Sequence, residues 1–363
     1  MATEAWKQEK RINLSPQVNF ARSTTSRMVL AACCALMAII QSAVSDGGAS
    51  LLVAFSALAG AVLTELFITW RRDGYRTLLD GSAVVSALVL TLLLPNRINP
   101  FCAFFAAVFA MAVIKHSFGG LGSNWVNPAL GGWLFMRISF SQSFEKALEG
   151  SNLSILFRSM ASGFSNPQGS PLAILKISGT WQYSAGSSLD QTFRNFLNST
   201  IFAIPGAELP AGYIDLFNSG SPGIIADRGI LGLLAGSILI CASQVNRAWI
   251  SALFLLVYGF LVRAFGALPF GGAAGQGDVL FSFLSGGTLV AAFLLITDPA
   301  TGAKSNTGII ILTVLGALFT FIFREQGQQM YGAFFATALI NAFLPLFRCA
   351  ERCFLFNLGK RRA

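Results

Sequence analysis

Ten apolar runs, each long enough or nearly long enough to cross a bilayer, leave this chain few folds to choose from. They fall at about 28–45, 50–70, 80–95, 100–115, 126–141, 227–245, 248–265, 279–297, 307–323 and 330–348. A bilayer core takes about 20 apolar helical residues, with some tolerance for fewer. In lipid every backbone N–H and C=O must find a partner within the protein, which favours helices for runs of this kind. Only 11% of the 363 residues are charged and 54% are hydrophobic, whereas soluble domains carry about 25% charged residues. The expected fold class is an all-α polytopic membrane protein embedded in the lipid bilayer. The net charge of +9 reads as loop charge that orients the chain, and nucleic acid is not an expected partner.

The eighth run is not written as a plain anchor. Near its start stands Ser285-Gly286-Gly287-Thr288, and Thr297-Asp298-Pro299 closes it. The third run echoes it. Leu79 to Leu90 aligns under Leu284 to Leu295 without a gap, with Asp80-Gly81-Ser82 against Ser285-Gly286-Gly287. Both copies stop at a proline, Pro95 or Pro299. Short or Gly/Pro-interrupted spans at matching places in two halves point to an inverted-repeat fold with a central site.

Five runs precede one long hydrophilic segment and five follow it. An odd number per half inverts the halves relative to each other. With the N-terminus inside, 16 of the 25 Lys and Arg fall on inside segments, which favours both termini in the cytoplasm. The expected organisation is a cytoplasmic arm (1–27), a five-helix repeat (28–141), an outward segment (142–226), a second repeat (227–348) and a basic cytoplasmic tail (349–363). A signal peptide is disfavoured because the leader is long and carries Glu4 and Glu9. The outward segment is rich in Ser, Asn, Gly and Pro, and loops of such length are functional or disordered.

Ionisable groups in or beside the runs are few: Glu65, Asp80, Asp227, Arg228, Arg263, Asp278 and Asp298. Acids in membranes are costly and face a cavity or a partner. Glu65 has a plainer reading, snorkelling toward Arg71 or Arg72. For Asp80 and Asp298 the plainer reading is a helix cap or turn. Their recurrence in both halves favours a polar pocket instead. Ser285, Gly286, Gly287 and Thr288 could present backbone N–H groups to an anion or a cofactor edge, or simply allow close helix packing. Gly119-Gly120-Leu121-Gly122, followed by Asn124, Asn127 and Pro128, reads as a tight turn that starts a broken helix. The lone histidine, His116, reads as bland. Cys349 and Cys353 make a weak metal signal, with no further Cys or His nearby. No catalytic residue set of a soluble hydrolase or dehydrogenase is present.

These motifs together resemble the RnfD/NqrB family, over approximately residues 20–350. The residues that carry the likeness are Asp80-Gly81-Ser82-Ala83, the Gly-Gly-Leu-Gly…Asn-Pro-Ala run at 119–129, and Leu284-Ser285-Gly286-Gly287-Thr288…Thr297-Asp298-Pro299. The family holds the large flavin-bearing membrane subunits of the Rnf complex and of the sodium-pumping NADH:quinone reductase, and the chain length fits its shorter, Rnf-type branch. The resemblance implies ten helices in two inverted five-helix repeats, similar to urea transporters. It implies a covalent FMN, joined through its phosphate to an outer-loop hydroxyl by a flavin transferase, and a second, non-covalent flavin such as riboflavin. Partners would be the other membrane and soluble subunits of an Rnf-type complex in the bacterial inner membrane.

The family's attachment motif reads approximately Asp-x-x-Ser-Gly-Ala-Thr, often followed by Pro-Leu. The best match here is Pro167-Gln168-Gly169-Ser170-Pro171-Leu172, which puts Ser170 on the acceptor threonine. Phe164 stands at the acidic position and Pro167-Gln168 at the Ser-Gly pair. Ser162-Gly163-Phe164-Ser165 and Ser178-Gly179-Thr180 are weaker matches. Asp80, Ser285, Gly286, Gly287, Thr288 and Asp298 are the candidates for the surroundings of a second flavin or an ion path. Two other readings fit much of the same pattern: a channel for a small polar solute, and a structural subunit that has lost its flavin.

Overall fold

A computed structural model describes residues 24–70, 80–117, 126–149, 188–200, 223–243, 245–266, 279–303, 305–326 and 331–362, with a few single positions between them. Among the described residues every regular element is helical, and the one β-contact is an isolated bridge between Pro95 and Ile224. Five helices are long and apolar enough to span a membrane: Thr24–Asp46, Ala49–Thr69, Ala248–Phe265, Asn306–Glu325 and Gly332–Cys353. The chain is a multi-pass membrane protein.

In the first half the order is α1 (Thr24–Asp46), α2 (Ala49–Thr69), α3 (Ser82–Leu93), α4 (Pro100–Phe109) and α5 (Pro128–Ser139). Two amphipathic helices follow, α6 (Ser141–Glu149) and α7 (Ser188–Thr200). A single turn, α8 (Ile225–Arg228), opens the second half. Then come α9 (Ile230–Ala242), α10 (Ala248–Phe265), α11 (Val279–Leu284), α12 (Thr288–Val290), α13 (Asn306–Phe321) and α14 (Gly332–Arg362). All ten expected runs appear as helix, and the eighth is interrupted between α11 and α12.

Local chemistry sets the boundaries. Asn99 and Asn127 each precede a proline at the first helical position, and each side chain accepts the N–H two residues on, at 3.0 Å. Ser305 caps α13 by accepting from Gly308 N at 3.0 Å. The helix starts at α3 and α12 follow left-handed glycines, Gly81 (φ 71°) and Gly287 (φ 68°), a conformation that costs a side chain dearly. The gapless alignment sets Gly81 against Gly286. By its place at the helix start, the counterpart is Gly287, one residue on, because the second break spends two consecutive left-handed glycines.

The two halves meet closely where α1 packs on α9. Gly229, Gly232 and Gly236 line that seam, and a Cβ on Gly232 would stand 2.3 Å from the Met37 carbonyl oxygen. Such small residues let backbones approach without lipid between them. Gly232→Ala is expected to cost about 1–3 kcal/mol through overpacking. Leu231→Ala, on an exposed position of the same helix, should change far less; thermal unfolding of the two variants in detergent checks the difference.

Candidate functional site

The interruption after Leu284 frees backbone groups on both sides, and the chain supplies a charge for each. Asp227, on α8, accepts from Gly286 N at 2.9 Å and from Gly287 N at 2.8 Å. Arg324 reaches in from the opposite side. Its Nη1 donates to the carbonyl oxygens of Ser282 (2.8 Å) and Ser285 (2.6 Å) and to the hydroxyl of Thr288, and its Nη2 donates to the Ser285 hydroxyl. An anion thus sits at the N-terminal end of one helix piece and a cation at the C-terminal end of the other, as the helix dipoles favour. Asp227, Arg324, Ser285 and Thr288 are all buried. The small pocket that Asp227 and Gly287 help to line has no room for a water molecule.

Arg324 is delivered by a π-helical turn, Ile322–Gln326, that continues α13. Its neighbour Glu325 faces the same interior, where its Oε1 accepts from Ser282 Oγ (3.2 Å) and Tyr258 Oη (3.4 Å). The first half ends its fourth helix in the same way. There α4 continues into a π-turn, Ala110–His116. Lys115 Nζ donates to Glu65 Oε1 at 2.7 Å and to Ser82 Oγ at 2.9 Å, and His116 Nε2 pairs with Glu65 Oε2 at 2.7 Å. The wider π-turn brings two consecutive side chains toward one partner, a use such turns often have.

Glu65 therefore does not snorkel. It is fully buried and held by Lys115 and His116, because a carboxylate within the membrane is stabilised far more by a nearby cation than by a stretch toward the surface. Nor is His116 bland. Lys115, His116, Arg324 and Glu325 are the residues that sequence reasoning missed. A charged pair at the end of an apolar run resembles ordinary loop charge, and only its recurrence on both fourth runs signals otherwise.

Asp298 lies past the end of the half-helix that α12 and the π-turn Ala291–Leu295 form. Its carboxylate accepts from Asn127 Nδ2 at 2.9 Å and from Ala300 N at 3.0 Å, so two of the motifs read from sequence meet across the halves. Burial pushes this carboxyl above the usual carboxylate range, and its bonds to Ala300, Asn127 and Thr301 hold it partly back. Asp298 borders a cavity of about 260 Å³ whose wall also includes Asn246, Thr313, Thr337 and Asn341. Asn341 is buried, and its Nδ2 has no hydrogen-bond acceptor among the described residues. Asp80 is half-buried beside Gly81, and among the described residues no side chain caps α3. Asp80 precedes its helix whereas Asp298 follows one, so the two acids mark opposite ends of their segments. Ser170 and the weaker acceptor matches lie outside the described residues.

The family model described as NQR2, RnfD, RnfE family matches residues 11–353. The chain belongs to this family. Among its relatives is the D subunit of the proton-translocating ferredoxin:NAD(+) oxidoreductase complex of Clostridium ljungdahlii, 31% identical over 340 residues, with 92% of each chain covered. The D subunit of the ion-translocating oxidoreductase complex of Shewanella denitrificans is 27% identical over 348 residues, covering 92% of this chain and 94% of the relative. That of Klebsiella pneumoniae is 28% identical over 351 residues, covering 93% and 95%. The match to the NQR2, RnfD, RnfE family takes in both left-handed-glycine helix starts, both π-turns and the Asn127–Asp298 contact.

Proposed function

We propose that the chain is the flavin-carrying RnfD component of an Rnf-type, redox-driven pump for Na+ or H+ in the bacterial inner membrane, passing electrons between partner subunits. The observation that carries this is likeness over nine-tenths of both chains to the D subunits of ion-translocating oxidoreductase complexes. Its membrane part is two inverted five-helix repeats, 28–141 and 227–348, similar to the urea-transporter fold, with both termini in the cytoplasm. Supporting the repeat, the parts recur in order: a left-handed glycine before the third helix, a cationic π-turn ending the fourth, and a hydroxyl (Ser82 or Thr288) that receives the cation.

FMN is held by a phosphoester to Ser170 in the outer segment, 142–226, after attachment by a flavin transferase. Bound flavin supplies one- and two-electron transfer; the protein sets its place and surroundings. The second flavin, riboflavin or a similar one, belongs at the cavity beside Asp298. That cavity has room, and Asn341 offers an unpaired donor suited to a carbonyl acceptor. Asp80 and the break at Ser285, Gly286, Gly287 and Thr288 belong to the ion's side of the machine, since the break's polar groups already serve Asp227 and Arg324.

A denaturing gel viewed for flavin fluorescence tests the reading. The full chain from cells with an active flavin transferase is expected to give a fluorescent band, lost in Ser170→Ala. A band that survives moves the acceptor to Ser162, Ser165, Ser178 or Thr180. The absence of any band favours a solute channel or a flavin-free structural subunit.

A further inference from the structure

Four oxygens converge on the Arg324 guanidinium at the helix break. Two are the carbonyls of Ser282 and Ser285, at the C-terminal end of α11, and two are the hydroxyls of Ser285 and Thr288. One nitrogen, Nη1, serves three of them. The Glu325 carboxylate completes the surroundings through Ser282 and Tyr258. Carbonyls at an unwound helix end, joined by hydroxyls and one acid, form the oxygen set that coordinates a monovalent cation in broken-helix transporters. Hard cations take such neutral and anionic oxygens, and the negative end of the helix dipole adds to the attraction.

We infer that the break is a monovalent-cation station and that Arg324 is a tethered cation filling it. The site is buried and the guanidinium already serves all four oxygens, so no cation from solution is needed to hold the break in shape. The other half repeats the device with an ammonium: Lys115 sits between the Ser82 hydroxyl and the Glu65 carboxylate. A free cation therefore does not bind at the break while Arg324 stays in place. Withdrawal or loss of the guanidinium opens a site for one. This inference rests on assigning the break to the ion's side; the flavin reading stands separately, on the Ser170 band, so each can fail alone.

The test uses the full chain purified in detergent, with thermal unfolding followed in sodium, potassium or choline chloride at equal ionic strength. The unaltered chain is expected to unfold within about 1 °C of the same temperature in all three. Arg324→Met vacates the station, and sodium or potassium should then raise its midpoint by about 2–4 °C or more over choline, because a ligand that binds only the folded state stabilises it. Arg324→Lys keeps a tethered cation and stays insensitive. Three results overturn the inference: Arg324→Met equally stable, or equally unfolded, in all three salts; an unaltered chain that responds as strongly as Arg324→Met; or Arg324→Lys responding as strongly.

Discussion

Replacing Asp227 by alanine is expected to destabilise the chain by about 2–6 kcal/mol, the cost of leaving two buried donors unpaired. Two backbone donors, Gly286 N and Gly287 N, lose their shared acceptor at once, and each buried unsatisfied group costs about 1–3 kcal/mol. Asp227→Asn keeps one acceptor oxygen and should lose roughly half as much. Unfolding in mixed detergent micelles measures both variants. A loss below about 1 kcal/mol for the alanine variant would mean that the break is held by packing and not by this carboxylate.

Glu65→Ala is expected to show a loss of the same order, about 3–5 kcal/mol, through a different failure. Here the acceptor that vanishes leaves a buried ammonium, Lys115, with the Ser82 hydroxyl. The stranded charge is what makes the single change severe. Changing both members to uncharged residues of similar volume, Glu65→Gln with Lys115→Met, should recover most of the loss, since a buried pair replaced as a unit is often nearly neutral. The cycle of Glu65→Gln, Lys115→Met and the double variant isolates the coupling. If the double variant is as unstable as the sum of the singles, the pair is not the source of the effect.

Much of the architecture is legible in the residues. Apolar run length anticipates the helices, five of them long and apolar enough to span a membrane, because lipid leaves a backbone no partner but its own helix. Asn99-Pro100 and Asn127-Pro128 announce helix starts by local chemistry alone. The recurrence of Asp80-Gly81-Ser82 and Ser285-Gly286-Gly287-Thr288 marks two special helix starts by residue type alone. In each case the decisive interaction lies within a few residues of the signal.

What occupies those special starts was not legible. Sequence reasoning leaves the exposed N–H groups at 286 and 287 open to an anion; the anion is Asp227, 59 and 60 residues away along the chain. The cation on the facing carbonyls is Arg324, about 40 residues away. Glu65 meets Lys115 across 50 residues, and Asn127 meets Asp298 across 171.

Ser285 to Thr288, the most conspicuous stretch in the chain, is thus fixed by its own residues as a break in a helix: two adjacent glycines take left-handed angles that cost other residues dearly. Which charges close that break, and that one of them is a cation held by four oxygens, was decided only in the tertiary structure. Charge pairing in a membrane interior depends on distance through space in a medium that screens little, and one chain's order of residues does not encode that distance.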